Sequence, residues 1–127
     1  DYRTIEPLIM QGGLMNYDIV FHVDLNDEAV LNIAISNIAN YFTAIEGQKA
    51  EVVMLVNGPA VNLFKKETAL PALKDLQGKG LQIRVCQNAM NKFSLPKETL
   101  MDGVQVVPAG IVELARLQNE RYTYIKP

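Results

Sequence analysis

The stretch Ala50-Glu51-Val52-Val53-Met54-Leu55-Val56 is almost uninterruptedly apolar and ends abruptly at Asn57-Gly58-Pro59. A strand with one wet face alternates apolar and polar residues, whereas a continuous run belongs to a strand covered on both faces. Double coverage of that kind is the habit of parallel sheets, whose strands are joined by helical crossovers.

Strand and helix signals alternate along the whole length. Tyr17 to Asp24 is β-rich and reads as the first strand, after which Asn26 or Asp27 can cap a helix. In that helix Leu31, Ala34, Ile35, Ile38, Phe42 and Ile45 recur at helical spacing, and Gly47 is a natural stop. A short helix is expected from about Ala60, and another from Leu70 through Leu73 and Leu76 to Gly78-Lys79-Gly80. Leu81 to Val85 forms a third strand that runs straight into Cys86. Two helical pieces, Asn88 to Phe93 and Lys97 to Met101, are parted by Pro96. Val104 to Val107 is a fourth strand, Pro108-Ala109-Gly110 turns into a last helix with Ile111, Leu114, Ala115 and Leu117, and Tyr122 to Ile125 is an edge strand. The expected fold is α/β: a three-layer sandwich of a mostly parallel five-stranded sheet with helices on both faces.

At 127 residues, 49% apolar and 20% charged, the chain suits one domain. Residues 15–127 form it, and residues 1–14 read as an N-terminal arm or extension. That opening segment lacks a basic stretch followed by an apolar one, so it is not an intact signal peptide. No apolar run approaches the ~20 residues needed to span a bilayer. A net charge of −2 with scattered basic residues argues against nucleic acid. The single cysteine excludes an internal disulfide and fits a reducing compartment, so a cytoplasmic location is expected.

In open parallel sheets ligands gather at the carboxyl ends of the strands. Those ends carry His22 and Asp24, Asn57 and Gly58, Cys86 to Asn88, and Pro108 to Gly110. Cys86 enters a helical start, where free N–H groups and the helix dipole favour a thiolate and so a nucleophile or a sulfane-sulfur carrier. The competing reading is packing, because cysteine is among the most buried residue types. Arg84, two residues back on the same strand face, suits an anion or an ion pair equally well. His22, the only histidine, has an acid/base reading and a structural one. Asn57-Gly58-Pro59 is turn chemistry first and the backbone lining of a small-anion site second. Asn88 and Gly110 line the same edge. There is no Walker loop, G-x-G-x-x-G, G-x-S-x-G or C-x-x-C, and one His with one Cys cannot build a nitrogen–sulfur zinc site. No metal or cofactor is expected.

Several segments together resemble a known family. They are Phe21-His22-Val23-Asp24, Asn37-Ile38-Ala39-Asn40, Val56-Asn57-Gly58-Pro59, Val85-Cys86-Gln87-Asn88-Ala89-Met90, Val106-Val107-Pro108-Ala109-Gly110 and Leu117-Gln118 to Tyr124-Ile125-Lys126-Pro127. In order and spacing, from about Asn16 to the end, they resemble the DsrE/DsrF-like family. The resemblance implies a compact α/β domain that assembles as a homo-oligomer, a trimer or hexamer. It also implies that a cysteine matching Cys86 accepts sulfur as a persulfide and passes it between donor and acceptor proteins. A non-catalytic oligomeric module for a small anion or metabolite is the alternative, and many members of the family have no established activity. Where the family often carries Gly before the final Tyr-x-Tyr, this chain has Arg121, a departure that bears on the last turn.

Overall fold

The computed structural model describes residues 15–127. The expected arm at residues 1–14 lies outside the described residues. Five strands, β1 (Ile19–Val23), β2 (Val52–Val56), β3 (Gln82–Cys86), β4 (Gln105–Val107) and β5 (Thr123–Ile125), make one sheet in the order β4-β3-β2-β1-β5. Every pairing is parallel. The helices are α1 (Glu28–Ala44), α2 (Pro71–Gly78), α3 (Gln87–Lys92) and α4 (Gly110–Asn119), with 3₁₀ turns at Gly58–Phe64 and Lys97–Thr99.

Strand order decides where the helices go. From β1 to β4 the chain steps across the sheet in one direction, and right-handed crossovers then place every connecting helix on one face. The last connection runs the opposite way, from the β4 edge back to the β5 edge, so the same rule puts α4 on the other face. The two layers are therefore unequal. On the first face Phe21, Met54 and Ile83 pack with Leu31 and Ile38 of α1, Phe64 of the 3₁₀ turn, Leu73 of α2 and Met90 of α3. On the second, Val20, Val53 and Leu55 meet Leu114 and Leu117 of α4 and Tyr122. The expected three-layer sandwich is present, with the continuous apolar run as its central strand: all five β2 residues are fully buried.

Local chemistry sets the element ends. Asp27 caps α1, its carboxylate accepting from the Ala29 and Val30 N–H groups at 2.9 and 3.4 Å. The segment expected as a helix from Ala60 is the tighter 3₁₀ form and begins earlier, at Gly58-Pro59.

The Arg121 departure has a backbone explanation. Arg121 lies in the left-handed region at φ +71°. Its N–H bonds the Gln118 carbonyl and the Tyr122 N–H bonds the Leu117 carbonyl, both at 3.0 Å, while Leu117 and Tyr122 share one apolar cluster. That is a Schellman stop, whose left-handed position suits glycine. Arginine therefore keeps the turn and carries the strain of a Cβ at positive φ. Arg121→Gly is expected to stabilise the fold by about 0.5–1 kcal/mol, since relief of that strain exceeds the added chain entropy. Thermal unfolding of the two proteins checks this, and a lower melting temperature for the glycine variant would contradict it.

Candidate functional site

The candidate residues come together at the carboxyl end of the sheet. β3 leads into α3 on one face, and β4 leads into α4 on the other. Adjacent strands whose chains depart to opposite faces leave a crevice between them, where open α/β sheets bind ligands. Cys86 is the last residue of β3 and Gly110 the first of α4, so both stand at this divergence.

Cys86 is buried, 6% exposed, and forms the N-cap position of α3 without a side-chain capping bond there. Its sulfur turns instead to the other helix. The Gly110 N–H donates to Cys86 Sγ at 3.2 Å. That N–H is one of the donors a helix start leaves without an intrahelical partner, and Ala109 at the N-cap position supplies no side-chain bond. The helix expected to act on the thiol was the one Cys86 enters; the one its sulfur meets is brought in by β4.

Gly110 is required by space, not by backbone conformation. A Cβ there would stand 3.1 Å from the Cβ atoms of both Asn57 and Cys86, and 3.2 Å from Leu55 Cδ1. Asn57 and Cys86 thus flank the first turn of α4. Gly58 answers a different need: its φ is +56°, and a Cβ would lie 3.1 Å from the Asp24 carbonyl oxygen. Its place is conformational, holding the turn that starts at Asn57.

His22, on the second face of β1, is buried at 8% exposure with both ring nitrogens engaged. Nε2 is 2.8 Å from Asn57 Oδ1, and Nδ1 is 2.5 Å from the Tyr124 hydroxyl. Asn57 Oδ1 only accepts, so Nε2 donates to it. His22 therefore bridges Tyr124 to Asn57, with neither nitrogen open to another group. Asn88 is exposed on α3, and among the described residues no hydrogen bond ties its side chain to Cys86, His22 or Asn57. Tyr124 escaped the sequence reading; the available signal was a second tyrosine two residues after Tyr122, because a hydroxyl on a packed strand face seeks a partner.

Arg84 resolves to an ion pair. Its Nη1 donates to Glu113 Oε2 at 2.7 Å, both side chains 12% exposed, while Nη2 and Nε donate to Gln82 and Gln105. This ties α4 to β3 one turn beyond Gly110. The Arg116 hydrogen bond, then that of Arg84, holds the Glu113 carboxyl below the usual carboxylate range against the opposing pull of burial. Asp24 pairs with Lys126 at 2.6 Å, closing the chain end over β1. A cavity of about 470 Å³ lies at the opposite, amino-terminal side of the sheet, among Asn16, Ile19, Asn37, Tyr41, Ile45 and Thr123. It holds none of the candidate groups of the strand carboxyl ends. Among the described residues no three His, Cys, Asp or Glu side chains gather as a metal site, and no helix is long and apolar enough to cross a membrane.

The model of the DsrE/DsrF-like family matches residues 16–127. The chain belongs to this family. As a DsrE/DsrF-like protein it is similar in structure to the protein of unknown function MTH1491 from Methanobacterium thermoautotrophicum. The two are 27% identical at a TM-score of 0.83, over 88% of this chain and 100% of that one. No curated protein matches the chain.

Two outcomes test this geometry. Gly110→Ala should cost about 1–3 kcal/mol, because the added methyl meets two Cβ atoms that cannot swing aside; denaturant unfolding checks it. Glu113→Gln should lower stability by about 1–3 kcal/mol near neutral pH by leaving Arg84 without its charged partner. A carboxylate whose folded pKa is depressed stabilises above its unfolded value of about 4.3 and loses that contribution as pH falls through the folded value. The gap between wild type and Glu113→Gln should therefore narrow below about pH 4 in urea titrations; a constant gap would refute the assignment.

Proposed function

We propose that this DsrE/DsrF-like protein carries sulfane sulfur as a persulfide on Cys86. One observation carries the reading: the Cys86 sulfur, at the crevice where β3 and β4 send their chains to opposite faces, accepts the N–H of the first residue of α4. An N–H at a helix start favours an anionic sulfur, as thiolate or as persulfide. The thiolate attacks the outer sulfur of a donor R–S–SH; the donor S–S bond breaks, R–S⁻ leaves, and Cys86 holds S–SH. An acceptor nucleophile then takes the outer sulfur and releases the Cys86 thiolate. Both steps are exchanges at sulfur that need no metal, cofactor or second cysteine in this chain.

Burial shapes the roles of the neighbours. A sulfur on a residue only 6% exposed favours a small or extended donor group over a broad protein surface. His22 serves by holding Asn57, while Asn57 and Gly110 form the immediate lining. Ile111 and Val112, beside Gly110, are 69% and 64% exposed, which supports a contact surface for homo-oligomer formation or for a donor or acceptor protein. The reducing cytoplasm suits a free thiol in this role.

A second reading takes Cys86 as the wall of a small-anion or metabolite site, and its burial favours that reading. Mass spectrometry after incubation with a low-molecular-weight persulfide separates the two. The wild type should gain one sulfur atom at Cys86, and Cys86→Ser none. Equal loading of the two proteins, or no loading of either, would sink persulfide carriage.

A further inference from the structure

Strand order leaves one part of the first face bare. α1 leaves β1 toward β2, and the later helices of that face follow the sheet away toward β4. β5 joins the opposite edge and arrives from α4 on the second face, so none of the described crossover helices is directed over the first face of β5. α1 stands beside this gap as a wall. It returns from the carboxyl ends of the strands, which brings its last turns to the strand starts. There the cavity of about 470 Å³ opens between Asn37, Asn40, Tyr41 and Ala44 of α1, Ile19 at the start of β1 and Thr123 at the start of β5.

Its walls are held by bonds of their own. The Tyr41 hydroxyl donates to the Tyr17 carbonyl at 2.6 Å, and its ring meets Phe21 edge-on with centroids 6.3 Å apart. Asn16 is pinned from both ends of its amide: Nδ2 donates to the Arg121 carbonyl at 2.8 Å, and Oδ1 accepts from the Asp18 N–H at 2.9 Å. Burial, then the neighbouring Tyr17 and Asp18, pushes the Tyr41 hydroxyl up to about 12, as a water-poor surrounding does. The rim is left polar. The carboxamides of Asn37 and Asn40 and the Thr123 hydroxyl are exposed, and these side chains make no hydrogen bond among the described residues.

No residue lining the cavity is charged. The wall agrees with this along its length: α1 carries no charge from Ala29 to Ala44, whereas α4 carries Glu113 and Arg116. An ion entering the cavity would lose water with no counter-charge to replace it, and a wholly apolar molecule would leave the carboxamides unused. A carboxamide donates and accepts at once, so it complements another amide. The volume falls in the range of small-molecule sites, which are mostly apolar with a few polar groups that fix orientation. We propose that this cavity binds a small neutral molecule with a ring-sized apolar body and an amide-type donor–acceptor group, the latter held by Asn37 and Asn40. The site lies at the opposite end of the strands from Cys86 and is independent of the persulfide reading.

The probe is benzamide, and benzoate is its charged counterpart of the same size. Backbone amide NMR spectra of the full chain, recorded as each is added, read both affinity and place. Benzamide should shift the signals of Ile19, Asn40, Tyr41 and Thr123 saturably, with a Kd of about 1 mM, the strength expected of a probe with so few atoms. Benzoate should bind at least about tenfold more weakly. The double variant Asn37→Ala, Asn40→Ala should lose about tenfold in benzamide affinity, the loss of two hydrogen bonds of ordinary net strength. Both side chains are exposed, so the fold survives their truncation. Ala44→Phe fills the cavity and should abolish binding. Thermal unfolding checks that each variant is folded; where Ala44→Phe is not, the asparagine variant alone decides. No saturable binding at about 20 mM benzamide would overturn the proposal. So would equal affinity for benzoate, shifts confined to other parts of the chain, unaltered affinity in the asparagine variant, or binding that persists in folded Ala44→Phe.

Discussion

Parallel strands cannot be joined by a tight turn, so each connection must cross over the sheet, and the twist of the strands makes that crossing right-handed. In this chain one reversal of direction, between β4 and β5, follows from that constraint with large effect. It sends α4 alone to the second face and opens the divergence at which Cys86 and Gly110 meet. A last strand added beyond β4 would put its crossover helix on the first face and leave Cys86 at an ordinary strand end. The cysteine therefore owes its partner to strand order, not to the helix that follows it in sequence.

The second face is held by polar as well as apolar contacts. Arg84 and Glu113 bind α4 to β3, and Tyr122 donates to Glu51 at 2.8 Å across the same face. Glu51 in turn accepts from Gln82 at 3.1 Å, so the chain of bonds runs from the residue before β5 to β3. Such a network leaves few donors unpaired beneath a single helix, which makes the start of α4 a defined position and not a sliding one. A close approach at Gly110 needs that definition: an N–H displaced by an ångström would no longer reach the sulfur.

Much of this was legible in the order of residues. The continuous run at β2 announced a doubly covered strand, and the alternation of periods announced the layers. The carboxyl-end rule pointed to Cys86, His22, Asn57 and Gly110, and the structure gathers these four into one neighbourhood. Asn88 and Gly58 share the edge without sharing the contacts, since one faces solvent and the other serves a turn. Tyr124 was silent because it lies 102 positions from His22, and the strand that brings it there is the last in the chain. Nothing local marks such a pairing.

Period and composition are local properties, written into each segment by the side chains it must bury, and they determined the α/β class, the elements and the single cysteine. Strand neighbours are not local. That β5 lies beside β1, that α4 takes the empty face, and that Cys86 accepts from Gly110 depend on how separate segments share one sheet. These were decided by the tertiary structure, because hydrogen-bond pairing and crossover handedness act only once the strands are side by side.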